Sequence, residues 1–175
     1  MNIVLIGFMG TGKTSVGTLL SKELNWPLVD IDTIIEAQEG MPISEIFAKK
    51  SEPYFRDCET AAVIKAAAGD HTVISCGGGA VLRTQNMEAL EKNGFVVCLH
   101  ASPDVIIQRT AGNRARPLLE VADRRRQIET LLEQRKPFYA RCMLPINTDQ
   151  KTSREVAAAI LKSPALLPKL GRLKQ

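Results

Sequence analysis

A chain of 175 residues with 45% hydrophobic and 24% charged content has the composition of one ordinary globular domain, which excludes disorder and leaves enough apolar mass for a real core. The net charge of +4 conceals an asymmetry: residues 1–100 hold 8 Lys and Arg against 12 Asp and Glu, and residues 101–175 hold 15 against 7. No apolar run reaches the length of a membrane span, and the basic second half suits nucleic acid or a polyanionic small molecule equally.

The opening MNIVLIGFMG carries no basic leader and runs from apolar residues into glycine, the pattern of a buried strand at 2–6 and not of a signal peptide. GFMGTGKT at 7–14 then fits G-x-x-x-x-G-K-[ST] between that strand and a helix at 14–24. Its glycines let backbone N–H groups curl around phosphate oxygens, and the helix N-terminus adds partial positive charge. Lys13 is expected to reach the β- and γ-phosphates of a nucleoside triphosphate, and the Thr14 hydroxyl to hold Mg²⁺.

A second strand is predicted at 28–30, inside LVDIDTIIEAQEG. Strand alternation continued through this stretch points Asp30 and Asp32 the same way, and two neighbouring carboxylates repel unless a ligand or a proton lies between them. Helices follow at 33–39, 43–49 and 53–68, the last announced by Ser51 and Pro53. Within it Arg56 and Glu59 are three apart, so the acid can orient the guanidinium, although an exposed pair of this kind is worth little.

The third strand, 72–75, ends in Gly77-Gly78-Gly79 and supplies no acid, so the metal-side carboxylate is sought at Asp30, while the glycines leave bare N–H groups for a ligand. Then come a helix at 84–92 opened by Thr84, a strand at 95–99 and a helix at 103–110 opened by Ser102-Pro103. Residues 111–126 are basic with one proline, and their first part reads as a mobile loop carrying Arg114 and Arg116. A helix at 124–140 with Arg135, a short strand at 144–146 and a helix at 153–161 opened by Thr152-Ser153 complete the pattern. Arginine forks suit carboxylate and phosphate, which makes these arginines candidates for binding. The tail 163–175, with two prolines and a glycine, reads as loosely attached. Cys58, Cys76, Cys98 and Cys142 show no CxxC spacing and read as thiols in a reducing cytoplasm. Alternating strands and helices imply a parallel sheet with helices on both faces.

GFMGTGKTSVG, VDIDTIIE, ISEIF…EPYFR..E, CGGGAV, R..GNRARPLL and QRKPFY stand in the order and approximate spacing of shikimate kinases, and the chain resembles that family from about residue 1 to 149. The resemblance implies a three-layer α/β P-loop kinase fold like that of nucleoside monophosphate kinases. It has a five-stranded parallel sheet, helices on both faces, a substrate-binding helical segment at about 31–60 and a lid at about 111–123. It also implies transfer of the ATP γ-phosphoryl group to the 3-hydroxyl of shikimate, on the route to chorismate and the aromatic amino acids. By position, Asp32 meets the shikimate hydroxyls, Arg56 and Arg135 clamp its carboxylate, and the backbone of Gly78 and Gly79 meets its other side. Gly10, Thr11, Gly12, Lys13, Thr14 and Ser15 hold ATP phosphates, Lys13 and the lid's Arg116 neutralise the transferred group, and Arg109 lies against adenine. Thr14 ligates Mg²⁺ with Asp30 close by. The partners implied are shikimate and ATP, with no nucleic acid and no membrane, for a cytoplasmic monomer. Sparse aromatic interleaving in the basic half fits the absence of nucleic acid. Two departures stand out: Ser51-Glu52 replaces the family's Gly-Glu, and INTDQKT after the fifth strand offers no distinctive adenine contact. A gluconate kinase and a non-catalytic nucleotide-binding module are the competing readings. Asp32 with FR, GGG and RPLL favours shikimate over the first, and the presence of Lys13, Asp32 and the arginine clamp speaks against the second.

Overall fold

Every residue of NIVLIG is buried, because this strand, β1 (Asn2–Gly7), lies at the centre of a sheet covered on both faces. The computed structural model describes residues 1–111 and 123–171. Its other strands are β2 (Leu28–Asp30), β3 (Val73–Ser75), β4 (Gly94–His100) and β5 (Leu144–Asn147), in the order β2-β3-β1-β4-β5. All neighbours pair in parallel. The helices are α1 (Lys13–Leu24), α2 (Ile31–Glu39), α3 (Ile43–Lys50), α4 (Glu52–Ala67), α5 (Thr84–Asn93), α6 (Pro103–Thr110), α7 (Arg124–Tyr139), α8 (Ser153–Leu161) and a short α9 (Leu167–Gly171).

Alternate residues of β1 divide the core in two. Ile3 and Leu5 pack with Val16 and Leu20 of α1 and Val156 and Ile160 of α8. Val4 and Ile6 pack on the other side with Ile35 of α2, Val63 of α4, Leu90 of α5 and Ile128 of α7. The result is the three-layer arrangement expected from the sequence. The four cysteines are free thiols, and burial pushes Cys98 up to about 12.

Three local expectations need correction. Helix α2 starts at Ile31, not at residue 33, because the Asp30 carboxylate caps it, accepting from the Thr33 N–H at 3.3 Å. Asp32 therefore sits in the first turn of a helix, and strand alternation does not place it. The tail is docked through residue 171: Leu166 is fully buried in the α1/α8 core, Leu170 packs against it, and Lys169 Nζ lies 5.5 Å from the Phe95 ring centre. Pro168 falls in the first turn of α9, where proline starts a helix instead of breaking one. Residues 172–175, and all of the lid but its ends Ala111 and Asp123, lie outside the described residues, and Arg114 and Arg116 with them.

The third correction concerns caps. Ser102 and Thr152 do cap α6 and α8, Thr152 through a reciprocal capping box with Glu155. Thr84 does not, since Arg83 holds the N-cap position of α5. Nor does Ser51, which makes no side-chain cap bond and sits at φ 85, ψ 161. That region is essentially reserved for glycine and costs another residue about 1–3 kcal/mol. Ser51→Gly is expected to raise stability by about 1–2 kcal/mol, read as a higher urea midpoint at constant m-value. An unchanged or lower midpoint rejects the strain.

Candidate active site

Helix α1 leaves β1 toward one face of the sheet, and α5 leaves β3 toward the other. Between these adjacent strands the connections diverge at their carboxyl ends, which is where open α/β sheets form a ligand crevice. Here a cavity of about 180 Å³ is lined by Lys13, Thr14, Asp30, Asp32, Cys76 and Gly78 among others.

The phosphate loop turns into α1 through Gly12, the helix N-cap, at φ 93, a left-handed conformation that glycine adopts without cost. Lys13 is buried, and its Nζ donates to the carbonyls of Gly7 and Phe8, each at 2.9 Å. The ammonium is thus held over the loop, within the concavity its backbone forms. Thr14 Oγ1 donates to Asp30 Oδ2 at 2.9 Å. Asp30 so links the first turn of α1 to the start of α2, and the pair offers two hard oxygen donors at the end of the phosphate loop, a chemistry that fits Mg²⁺. Among the described residues no group of three or more His, Cys, Asp or Glu could cage a metal by itself. Mg²⁺ characteristically takes one or two protein oxygens and completes its shell with phosphate and water.

Beside the crevice, packed against the triple glycine, lies a buried ion cluster. Arg56 donates through Nη1 to Glu59 Oε2 at 2.8 Å, and through Nε and Nη2 to Glu52 Oε1 at 3.2 and 2.9 Å. Its guanidinium carbon lies 5.1 Å from the centre of the Phe55 ring. Burial opposes the charge of Arg56, but the charge and hydrogen bond of Glu59 outweigh it and raise its pKa further. Burial also dominates Glu59, pushing its carboxyl up; Arg56 and Arg135 pull it back, and Asp32 adds to the rise.

The triple glycine is shaped by this cluster. A Cβ on Gly77 would sit 2.6 Å from Asp32 Oδ1 and 2.8 Å from Glu59 Oε1, and one on Gly79 would sit 2.6 Å from Arg56 Nη2. Any side chain at either position would evict the charged groups. Arg135 of α7 reaches the same loop, donating from Nη1 to the Gly78 carbonyl at 3.1 Å, with its guanidinium 5.5 Å from the Phe8 ring. Tyr139, one helical turn further on, donates to the same carbonyl at 2.7 Å, and burial pushes its hydroxyl up to about 12. Two donors thus hold the Gly78 carbonyl and fix the backbone of the loop.

A second cavity, of about 450 Å³, opens beyond the phosphate loop and is lined by Gly10, Arg109, Thr148, Lys151, Ser153 and Val156 among others. Arg109 braces it, donating to the Gly10 carbonyl at 3.3 Å and to the Thr148 hydroxyl and carbonyl, each at 2.9 Å. This brings Arg109 beside Gly10 through Ser15. The segment after β5, opaque in the sequence, contributes much of the wall. The signal was the capping box Thr152-x-x-Glu155, which sets the α8 N-terminus at the carboxyl edge of the sheet. Tyr139 was also missed; its place in QRKPFY, one turn after Arg135, was the available clue.

The phosphate loop and two buried arginines thus converge on the triple glycine, and the chain as a whole is similar to known proteins. The family model described as shikimate kinase matches residues 9–164. A shikimate kinase of Thermodesulfovibrio yellowstonii is 47% identical over 92% of this chain and 93% of its own length. One from Caldanaerobacter subterraneus subsp. tengcongensis is 44% identical over 93% and 95%. Among solved structures, shikimate kinase from Acinetobacter baumannii in complex with shikimate superposes with a TM-score of 0.90 at 36% identity, covering 92% of this chain and 90% of that one. With the motifs, the fold and the matched length in agreement, the chain belongs to the shikimate kinase family.

Proposed function

We infer that the chain transfers the γ-phosphoryl group of ATP to the 3-hydroxyl of shikimate, giving shikimate 3-phosphate and ADP in the pathway to chorismate. The observation that carries this reading is one crevice lined by Lys13, Thr14, Asp32 and Gly78, with Arg56 and Arg135 gathered at the triple glycine that borders it. Family membership over nearly the whole chain supports it independently.

In this reading, Gly10 through Ser15 hold the ATP phosphates, Arg109 lies against the base, and Arg56 and Arg135 clamp the shikimate carboxylate. The N–H groups of Gly78 and Gly79 meet the acceptor from the sheet side. Asp32 accepts the proton of the attacking hydroxyl, and Lys13 neutralises charge on the transferred group, releasing the Gly7 and Phe8 carbonyls to do so. The family resemblance gives Arg116 the same task; it lies outside the described residues. Thr14 and Asp30 hold Mg²⁺, which when bound offsets charge on the phosphates. A loose phosphoryl-transfer transition state asks for positioning and charge neutralisation, and these residues provide both. The same reading takes the chain as a cytoplasmic monomer, and its four free thiols support a reducing compartment. No helix among the described residues is long and apolar enough to cross a membrane.

The test is ADP release from Mg-ATP with shikimate, with gluconate and without an acceptor. Turnover stimulated by shikimate alone is expected. Stimulation by gluconate, or none by either, rejects the assignment.

A further inference from the structure

Glu59 is fully buried, yet only one of its oxygens is provided for. Oε2 accepts from Arg56, whereas Oε1 has no hydrogen-bond partner among the described residues. An unpaired buried acceptor of this kind is costly. Oε1 and Asp32 Oδ1 approach the same point beside Gly77, at 2.8 and 2.6 Å from where a Cβ would lie. The charged and titratable groups facing Glu59 are Arg56 on its own helix, Asp32 on α2 and Arg135 on α7, with Cys76 at the end of β3 and Tyr139 on α7 close enough to feel its charge. Two guanidiniums, Arg56 and Arg135, here face three carboxylates, Glu59, Asp32 and the more exposed Glu52, which also binds Arg56. A carboxylate ligand between the arginines adds a further negative charge beside the fully buried Glu59, where like charges cannot all persist.

We propose that Glu59 takes up a proton when the acceptor carboxylate binds between Arg56 and Arg135. Oε2 stays on Arg56, and the proton, drawn from solvent, lodges on Oε1, turning the unpaired acceptor into a donor toward Asp32. Glu59 is in this sense a positioning residue: it keeps the clamp oriented while relieving the charge the acceptor brings. Burial already pushes its carboxyl upward, and the acceptor charge adds to that. The sign follows: a carboxyl with a raised pKa in the complex makes binding tighter at low pH and weaker as pH rises, by at most about tenfold per pH unit for one linked proton. The proposal rests on the reading in which the arginines hold the shikimate carboxylate.

Isothermal titration of shikimate into the intact protein, in buffers of different ionisation enthalpy at one pH, tests it. The expected result is an apparent enthalpy whose slope against buffer enthalpy reports net proton uptake, together with an affinity that falls as pH rises. Both effects should vanish in Glu59→Gln, which mimics the protonated form. A zero slope in the unsubstituted protein overturns the proposal, as does a slope that survives Glu59→Gln. The slope in the unsubstituted protein decides even if the variant fails to fold. Absence of any shikimate binding instead overturns the functional reading beneath it.

Discussion

Asp32→Asn is expected to lower kcat by about 10²–10⁴-fold while leaving the affinity for ATP nearly unchanged. Asp32 stands in the first turn of α2 and lines the same small cavity as Lys13 and Thr14, close to the triple glycine. An amide there has the same shape and still hydrogen-bonds a hydroxyl, but it cannot take its proton. The loss therefore falls on the chemical step and not on nucleotide binding, whose backbone cradle and Lys13 are untouched. Steady-state kinetics with both substrates, and nucleotide titration of the variant, separate the two. An unchanged kcat removes Asp32 from the chemistry.

Arg135→Ala should act on the other substrate. It removes one of the two forks that meet at the triple glycine, and a buried charge pair stripped of one partner costs on the order of 2–5 kcal/mol. Shikimate affinity is thus expected to fall by about 30-fold or more, with ATP affinity preserved because the base cavity lies beyond the phosphate loop. Tyr139 continues to hold the Gly78 carbonyl in this variant, so the loop keeps one of its two restraints. Arg135→Lys should restore little, since an ammonium cannot reproduce the planar bidentate fork. Calorimetric titration that finds unaltered shikimate affinity rejects the contact.

These two residues differ in how far the sequence alone could place them. Asp32 was legible as one of a carboxylate pair, but its geometry was not: an Asp30 side chain that bonds Thr33 N–H starts the helix directly after the strand and puts Asp32 in its first turn. Both carboxylates still reach one cavity, by a helical turn and not by a pleat. Ser51 shows the same limit. Serine before Pro53 marked where α4 begins, yet the backbone there turned through a conformation serine disfavours, which no cap preference reveals. In the tail, prolines suggested detachment, whereas Leu166 found a place in the core that only the packed sheet creates.

The phosphate loop and the order of strands and helices were determined by the sequence itself. The reason is physical: a strand, a glycine turn and a helix N-terminus that are contiguous in the chain form from local preferences, and β1 carries its burial in its own composition. The cluster around the triple glycine was decided by tertiary structure. Arg135 and Gly78 meet across 57 residues of sequence, and Arg56, Glu59 and Asp32 converge on glycines of another strand. Whether Arg56–Glu59 was an exposed ion pair of little consequence or a buried clamp depended on what packed over it. Burial turned an ordinary i,i+3 spacing into a buried ion cluster, and left Glu59 Oε1 the unsatisfied oxygen on which the proposed proton linkage rests.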